Sequence, residues 1–100
     1  MVKYPKTQLV IVAEAVLERP LIRDARQRGA QSCTVSEVHG VWHEGGREGV
    51  WEADRTIELK VICEPDVADA IAAHVLQAYA GHYGVSITFS DVLVLRPERF

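Results

Sequence analysis

The sequence lacks a long apolar run. Its longest such stretches, Leu9 to Ala13 and Ile87 to Leu95 with polar interruptions, fall well short of the ~20 residues that cross a bilayer as a helix. The first residues, Met1 to Pro5, also lack the apolar core of a signal peptide. We therefore expect a soluble, cytoplasmic protein that does not insert into a membrane.

Basic charge is scarce as well. The chain has 11 Lys and Arg against 14 Asp and Glu, for a net charge of -3, and the two signs are interspersed. A nucleic-acid-binding surface needs a basic excess to neutralise phosphates, so the composition argues against such a partner. With 100 residues, 48% of them apolar, the chain is long enough for one domain, 1–100, and too short for two.

Cysteine occurs only twice, as Cys33 and Cys63, each within an apolar stretch of strand character. Nothing in the sequence indicates an oxidising compartment, so we expect two free thiols that behave as small apolar groups. If the hairpin between them closes symmetrically around Glu48, Cys33 lies opposite Cys63 and Thr34 lies opposite Ile62.

Turn residues and hydrophobic periodicity divide the chain into six elements. Pro20 and Pro65 are each placed to begin a helix, and Gly29 and Gly81 are placed to end one. The predicted elements are a strand over 8–13, a helix over 20–29, strands over 34–40 and 56–63, a helix over 65–81 and a strand over 86–95. This βαββαβ order predicts an α+β, ferredoxin-like fold, in which two helices cover one face of an antiparallel sheet.

The predicted fold leaves one sheet face without helices. The first and last strands look apolar on both faces, so we expect the second face to be covered by other copies of the chain. Arginines at 19, 23, 26 and 28 follow the side of the first helix opposite its apolar residues, which is typical of a solvated face.

The segment between the two central strands is rich in glycine. Gly40, Gly45, Gly46 and Gly49 allow backbone N–H groups to turn toward an anion, and Arg47 supplies a planar fork for phosphate or carboxylate. The spacing is not that of a P-loop. Glycines are common in hairpin loops that bind nothing, so this pattern by itself is weak evidence.

Histidines offer a second kind of site. His39 and His43 are four residues apart, and Glu37 or Glu44 could complete a metal set with them. The two histidines lie across the end of a strand, however, so their rings need not converge on a metal. His74 and His82 are interpreted as a helix-surface residue and a loop residue. No nucleophile has a base at a recognisable spacing.

The stretch Thr34-Val-Ser-Glu-Val-His-Gly-Val-Trp-His-Glu-Gly-Gly46 resembles the one that leads into the mobile T-loop of PII signal-transduction proteins. Leu9 to Leu17 and Tyr79-Ala-Gly81 look closer to the PII-like regulators of inorganic carbon uptake, those associated with bicarbonate transporters and with carboxysomes. The resemblance covers nearly the whole chain and places a T-loop at about 40–55.

This resemblance implies a homotrimer with an adenine nucleotide in each of three clefts between subunits. It implies that Thr34 and the backbone around Ile62 hold the adenine, that Val12 forms an apolar wall, and that Arg99 reaches a neighbour's phosphates. Arg47 matches a phosphate-contacting arginine, and Arg47 or Arg55 is the candidate for bicarbonate. The nucleotide-binding residues implied are Val12, Thr34, Ser36, Gly40, Val41, Trp42, His43, Arg47, Ile62, Cys63 and Arg99.

Two departures from the PII pattern refine these expectations. Ser86 stands where ATP-binding PII proteins have a lysine, which favours AMP or ADP over ATP. The loop has Val50-Trp51 instead of the tyrosine that enteric PII proteins modify, which favours control by ligand alone. The implied function is a non-catalytic sensor without a cofactor or bound metal, in which nucleotide and bicarbonate set the 40–55 loop for a bicarbonate transporter or a carboxysome-related protein.

Two other classes of function remain open from the sequence. One is a trimeric, metal-responsive protein of the copper-tolerance type, with His39, His43 and Cys63 as ligands. The other is a small ferredoxin-like enzyme with His43 or His82 as the proton carrier.

Overall fold

The computed structural model describes residues 1–40, 43–44, 47–48 and 55–100, the two dipeptides by their backbone alone. Within these ranges lie six strands and two α-helices, with short 3₁₀ turns at Ala15–Leu17 and Pro97–Arg99. The elements in chain order are β1 (Tyr4–Glu14), α1 (Glu18–Gln27), β2 (Thr34–Val38), β3 (His43–Glu44), β4 (Arg47–Glu48), β5 (Thr56–Cys63), α2 (Pro65–Ala78) and β6 (Val85–Val94).

Four strands form an antiparallel sheet in the order β2-β5-β1-β6, and β3 pairs with β4 in a separate two-stranded ribbon. Both helices pack on the same face of the sheet, which confirms the ferredoxin-like prediction. Helix α2 begins at Pro65 as predicted, where the missing N–H costs nothing. Helix α1 begins two residues before Pro20, because the first turn of a helix also tolerates proline.

The core lies between the helices and one face of the sheet. Alternate residues of the central strands, from Leu9 to Ala13 in β1 and from Ile57 to Cys63 in β5, are at most 2% exposed. The helices cover them with apolar side chains at three- and four-residue spacings. The helical residues buried there are Leu21, Ala25, Ala68, Ile71, Ala72 and Val75.

The opposite face, which we call the open face, is the one on which neither α1 nor α2 packs. Val10 and Val12 of β1 are half-buried on it. Strand β6 departs from the prediction that it is apolar on both faces, because Ser86, Thr88 and Ser90 lie on the open face. The open face is therefore apolar in its centre and rich in hydroxyl groups at its β6 edge.

The register of the central hairpin differs from the symmetric closure around Glu48. Thr34 pairs with Lys60 instead of Ile62, so Cys33 and Cys63 do not lie opposite each other, and both cysteines are free, as expected. The shift is two residues. Because side chains alternate with a period of two, such a shift keeps every residue on its face, and the hydrophobic pattern cannot detect it.

Gly29 ends α1 in a conformation that other residues rarely adopt. Its φ is +114°, and an added Cβ would lie 3.2 Å from a methyl carbon of Val67. We predict that Gly29→Ala lowers the free energy of unfolding by about 1–2 kcal/mol, the usual cost of a side chain at positive φ.

Gly81→Ala is the matched control, since an added Cβ at Gly81 meets nothing within 4 Å. Urea denaturation of both variants measures the difference. Equal effects of the two substitutions would contradict the assignment of strain to Gly29.

Candidate functional site

Four of the residues matched to a nucleotide cleft lie on the open face. Antiparallel partners point to the same side of a sheet, and Ser36, Glu58, Val12 and Ser86 form one row across β2, β5, β1 and β6. Thr34 lies in the next row, which continues through Lys60, Val10 and Thr88. Ile62 is the diagonal neighbour of Thr34 on this face.

This group contains both apolar side chains and hydroxyl groups. Val12 and Ile62 are half-buried, while Thr34 and Ser36 are exposed at the β2 edge and retain hydroxyl groups for a ligand. An apolar strip beside hydroxyl donors suits a flat heterocycle such as adenine, and it equally suits a second copy of the sheet.

The side chain of Cys63 does not belong to this group, so a place for Cys63 in the nucleotide site rests on its backbone alone. Its side chain lies on the helix-covered face and is 2% exposed. Burial, together with the neighbouring carboxylates Glu64 and Asp66, raises the pKa of the Cys63 thiol. The thiol is inert in this position, and only the backbone of Cys63 is placed to meet a ligand.

Arg99 lies at the far end of the molecule from Val12. It belongs to the 3₁₀ turn after β6, and Val94 at the end of β6 pairs with Tyr4, whereas Ser86 near its start pairs with Val12. The eight residue steps from Ser86 to Val94 span about 27 Å. Arg99 follows the end of β6 that is remote from Val12, so it is not a neighbour of Val12 in its own chain.

Arg55, a candidate for bicarbonate, already has an anionic partner. Its Nε donates to Glu37 Oε1 at 2.6 Å, from the start of β5 to β2. Both side chains are mostly exposed, so the pair contributes little to stability and an anion can compete with Glu37.

The remaining candidate residues lie within the 40–55 loop. Gly40 lies two residues after the end of β2 at Val38. His43 and Arg47 contribute backbone to β3 and β4, where His43 pairs with Glu48 and Glu44 with Arg47. Val41 and Trp42, like most of the 40–55 loop, lie outside the described residues.

One hydrogen bond near the edge of the open face has no signal in the sequence. The backbone N–H of Gly84 donates to Glu14 Oε2 at 2.7 Å, so that a carboxylate from the end of β1 holds the loop before β6. The two residues are 70 positions apart, and no local pattern indicates such a pairing. The contact places a negative charge two residues from Ser86.

A second polar cluster joins the two helices. The carboxylate of Asp24 in α1 is 4% exposed, and its Oδ2 accepts hydrogen bonds from Tyr79 Oη and, at 2.8 Å, from His74 Nε2. Arg28 donates to the backbone oxygen of Asp24 at 3.0 Å and to His74 Nδ1 at 2.8 Å. His74 is thus half-buried in a network, which corrects its interpretation as a surface residue.

The hydrogen bonds define donors and acceptors within this network. Arg28 can only donate, so Nδ1 of His74 accepts from Arg28 and Nε2 donates to Asp24. Burial by itself would raise the pKa of Asp24, but the hydrogen bonds from Tyr79, His74 and Arg23 outweigh it and hold that pKa below its usual value. The pKa of Tyr79 is raised by burial and by its bond to Asp24.

Metal binding through His39 and Cys63 is not supported by their positions. His39 follows Val38, which pairs with Thr56 at the start of β5, whereas Cys63 ends that strand. Seven residues of strand span about 23 Å, so these two side chains cannot share an ion within one chain. Among the described residues, no three or more His, Cys, Asp or Glu side chains are grouped to hold a metal.

The described helices are also too short or too polar to cross a membrane.

The βαββαβ order, with two helices on one face of the sheet and an inserted central hairpin, defines a ferredoxin-like chain of the PII class. Over residues 6–99 the chain matches the family model of nitrogen regulatory protein P-II, and it belongs to this family. Members of the family are regulatory proteins.

Solved structures agree with this assignment. A protein from Thermus thermophilus described as a PII-like signalling protein is 31% identical, with a TM-score of 0.84, covering 100% of this chain and 99% of that one. CPII from Thiomonas intermedia, solved with ADP, AMP and acetate, is 17% identical with a TM-score of 0.85, covering 100% and 98%. CPII with ADP and bicarbonate is 15% identical with a TM-score of 0.81, covering 99% and 97%. None of the curated proteins matches the chain.

Removal of the Tyr79 hydroxyl tests the helix-joining network. We predict that Tyr79→Phe destabilises the fold by about 1–2 kcal/mol at pH 7, because Asp24 loses a donor and stays buried. The pKa of Asp24 lies below its unfolded value, so its contribution is present above that value and is lost as the pH falls through the folded-state pKa. The stability difference between the two proteins should therefore shrink in acid.

Urea denaturation between about pH 7 and pH 2, a range that spans the titration of Asp24, measures this effect. Tyr83→Phe is the matched control, since the Tyr83 ring contacts Tyr79 at 6.4 Å between centroids, whereas the hydroxyl bonded to Asp24 belongs to Tyr79. A constant difference between Tyr79→Phe and the unmodified chain at every pH would refute the role given to Asp24.

Proposed function

We propose that this chain is a non-catalytic sensor that forms a homotrimer and binds AMP or ADP in the clefts between subunits. Proteins of the P-II family are trimeric and bind adenine nucleotides, and the chain matches that family over nearly its whole length. The observation that carries the proposal is the arrangement of the chain's own residues: Thr34, Ser36, Val12 and Ile62 share the open face, while Arg99 follows the end of β6 that lies about 27 Å from Ser86, the partner of Val12.

In this proposal each cleft takes the open face of one subunit and Arg99 of its neighbour. Thr34 and the backbone near Ile62 hold the adenine, Val12 packs against it, and the neighbour's Arg99 binds phosphate through its planar fork. Ser36, Gly40, Val41, Trp42, His43 and Arg47 complete the ribose and phosphate side, and the chain acts as a single domain whose 40–55 loop responds to the ligand.

Two features favour a short phosphate tail. Ser86 offers a hydroxyl where a lysine would bind a polyphosphate, and Glu14 places a carboxylate on the adjacent Gly84 N–H. A third phosphate brings further negative charge toward this corner, so we propose AMP or ADP over ATP.

Bicarbonate is the proposed second ligand, at Arg47 or Arg55. CPII has been solved with ADP and bicarbonate, and the exposed pair of Arg55 with Glu37 can exchange its carboxylate for another planar anion. We propose that the ordered 40–55 loop then engages a cytoplasmic partner in inorganic carbon metabolism, either a bicarbonate transporter or a carboxysome-related protein.

Isothermal titration tests the nucleotide proposal directly. We expect AMP and ADP to bind more tightly than ATP, and bicarbonate to change the affinity or the heat of at least one of them. Ser90→Ala, which alters a hydroxyl on β6, the edge strand opposite β2, is the control for Thr34→Glu, which should abolish binding. Absence of heat with every nucleotide would refute the proposal.

Mixed oligomers test whether the site is shared. Thr34→Glu and Arg99→Ala subunits should each bind poorly alone, but after unfolding and refolding together they should regain binding in about one quarter of the clefts, those with Thr34 from one parent and Arg99 from the other. Titration of the mixture, with sedimentation velocity to verify trimers, measures this recovery. No recovery in verified mixed trimers would show that the two residues do not share a cleft between chains.

A further inference from the structure

The outward side of α1 carries a row of arginines. Arg19, Arg23 and Arg26 are spaced by four and three residues, which places them on one side of the helix. With Ile22 and Gln27 they line an open groove of about 480 Å³, and we call these five residues the arginine groove. In a chain whose net charge is -3, this is a local concentration of positive charge.

The buried carboxylate of Asp24 orients the Arg23 side chain. Its Nε donates to Asp24 Oδ1 at 3.0 Å, and the Asp24 side chain is 6% exposed and held by His74 and Tyr79. The Arg23 side chain is nevertheless 61% exposed. A guanidinium held through Nε presents its terminal N–H fork outward, in the geometry that binds a carboxylate through two hydrogen bonds.

Its two neighbours are available for a partner. Within residues 1–40 and 55–100, neither Arg19 nor Arg26 makes a hydrogen bond or an ion pair through its side chain. Ile22 lies between them in sequence and is only partly buried against the core. The groove therefore offers three guanidinium groups around an apolar contact.

We propose that the arginine groove docks a short acidic segment of a partner protein, with carboxylates on the guanidinium forks and an aliphatic side chain against Ile22. The argument for this occupant is charge complementarity. The remainder of the chain is more acidic than the whole, which disfavours an extended polyanion such as nucleic acid or an anionic bilayer, whereas a short peptide contacts the groove alone.

This surface is separate from the nucleotide site. Helix α1 lies on the helix-covered side of the sheet, and Val12, Thr34 and Ser36 lie on the open face. The docking proposal does not depend on nucleotide binding, and either can fail without the other.

Fluorescence anisotropy with a labelled peptide of four Glu-Glu-Leu repeats tests the docking proposal. Arg19→Gln with Arg26→Gln should weaken binding at least about fivefold in low salt, since two of three forks are lost. The matched control is Lys3→Gln with Arg96→Gln, which removes the same charge at exposed positions outside the groove and should change binding less than about twofold.

Three results would overturn the proposal: no binding of the peptide by the unmodified chain, equal weakening by the two double variants, or tighter groove-dependent binding of a labelled single-stranded DNA of the same length or of phosphatidylglycerol vesicles. Titration of AMP into the Arg19→Gln, Arg26→Gln variant verifies the separation of the two surfaces. We expect its affinity to be unchanged.

Discussion

The coverage of a four-stranded sheet by helices on one face is the constraint on which this molecule depends. Side chains alternate across a strand, so each residue of β1 and β5 lies either under the helices or on the open face. Leu9, Ile11 and Ala13 build the core, and their neighbours Val10 and Val12 are left half-buried on the other side. The same alternation that stabilises the fold therefore supplies the surface on which a ligand or another subunit packs.

The buried carboxylate of Asp24 is the second determinant of the architecture. A charge at 4% exposure is costly unless it is paired, and here three side chains satisfy it. Because His74 and Tyr79 come from α2 and its carboxyl end, the cluster fixes one helix against the other. It also determines which way Arg23 points, so an internal requirement of the core shapes the outer surface of α1.

The sequence predicted the parts of the fold that depend on local pattern. Pro65 and the apolar spacing of α2 were sufficient to predict that helix. The resemblance to PII proteins was sufficient to predict the family. The two-residue register shift at Thr34 leaves the hydrophobic pattern unchanged, and the Glu14–Gly84 pair joins distant residues that no local signal connects. The motif match placed Cys63 in the nucleotide site by its position along the chain, whereas the pleat of the strand puts its side chain on the helix-covered face.

The proposed site, with Val12 from one chain and Arg99 from the next, has a thermodynamic consequence. A ligand that needs one group from each of two chains binds the assembled protein better than the separated subunits, so ligand binding and assembly become linked equilibria. For such a protein the apparent dissociation constant rises on dilution, and saturating ligand holds the subunits together at concentrations where they would otherwise separate. The abundance of the chain in the cell would then set the ligand concentration to which it responds.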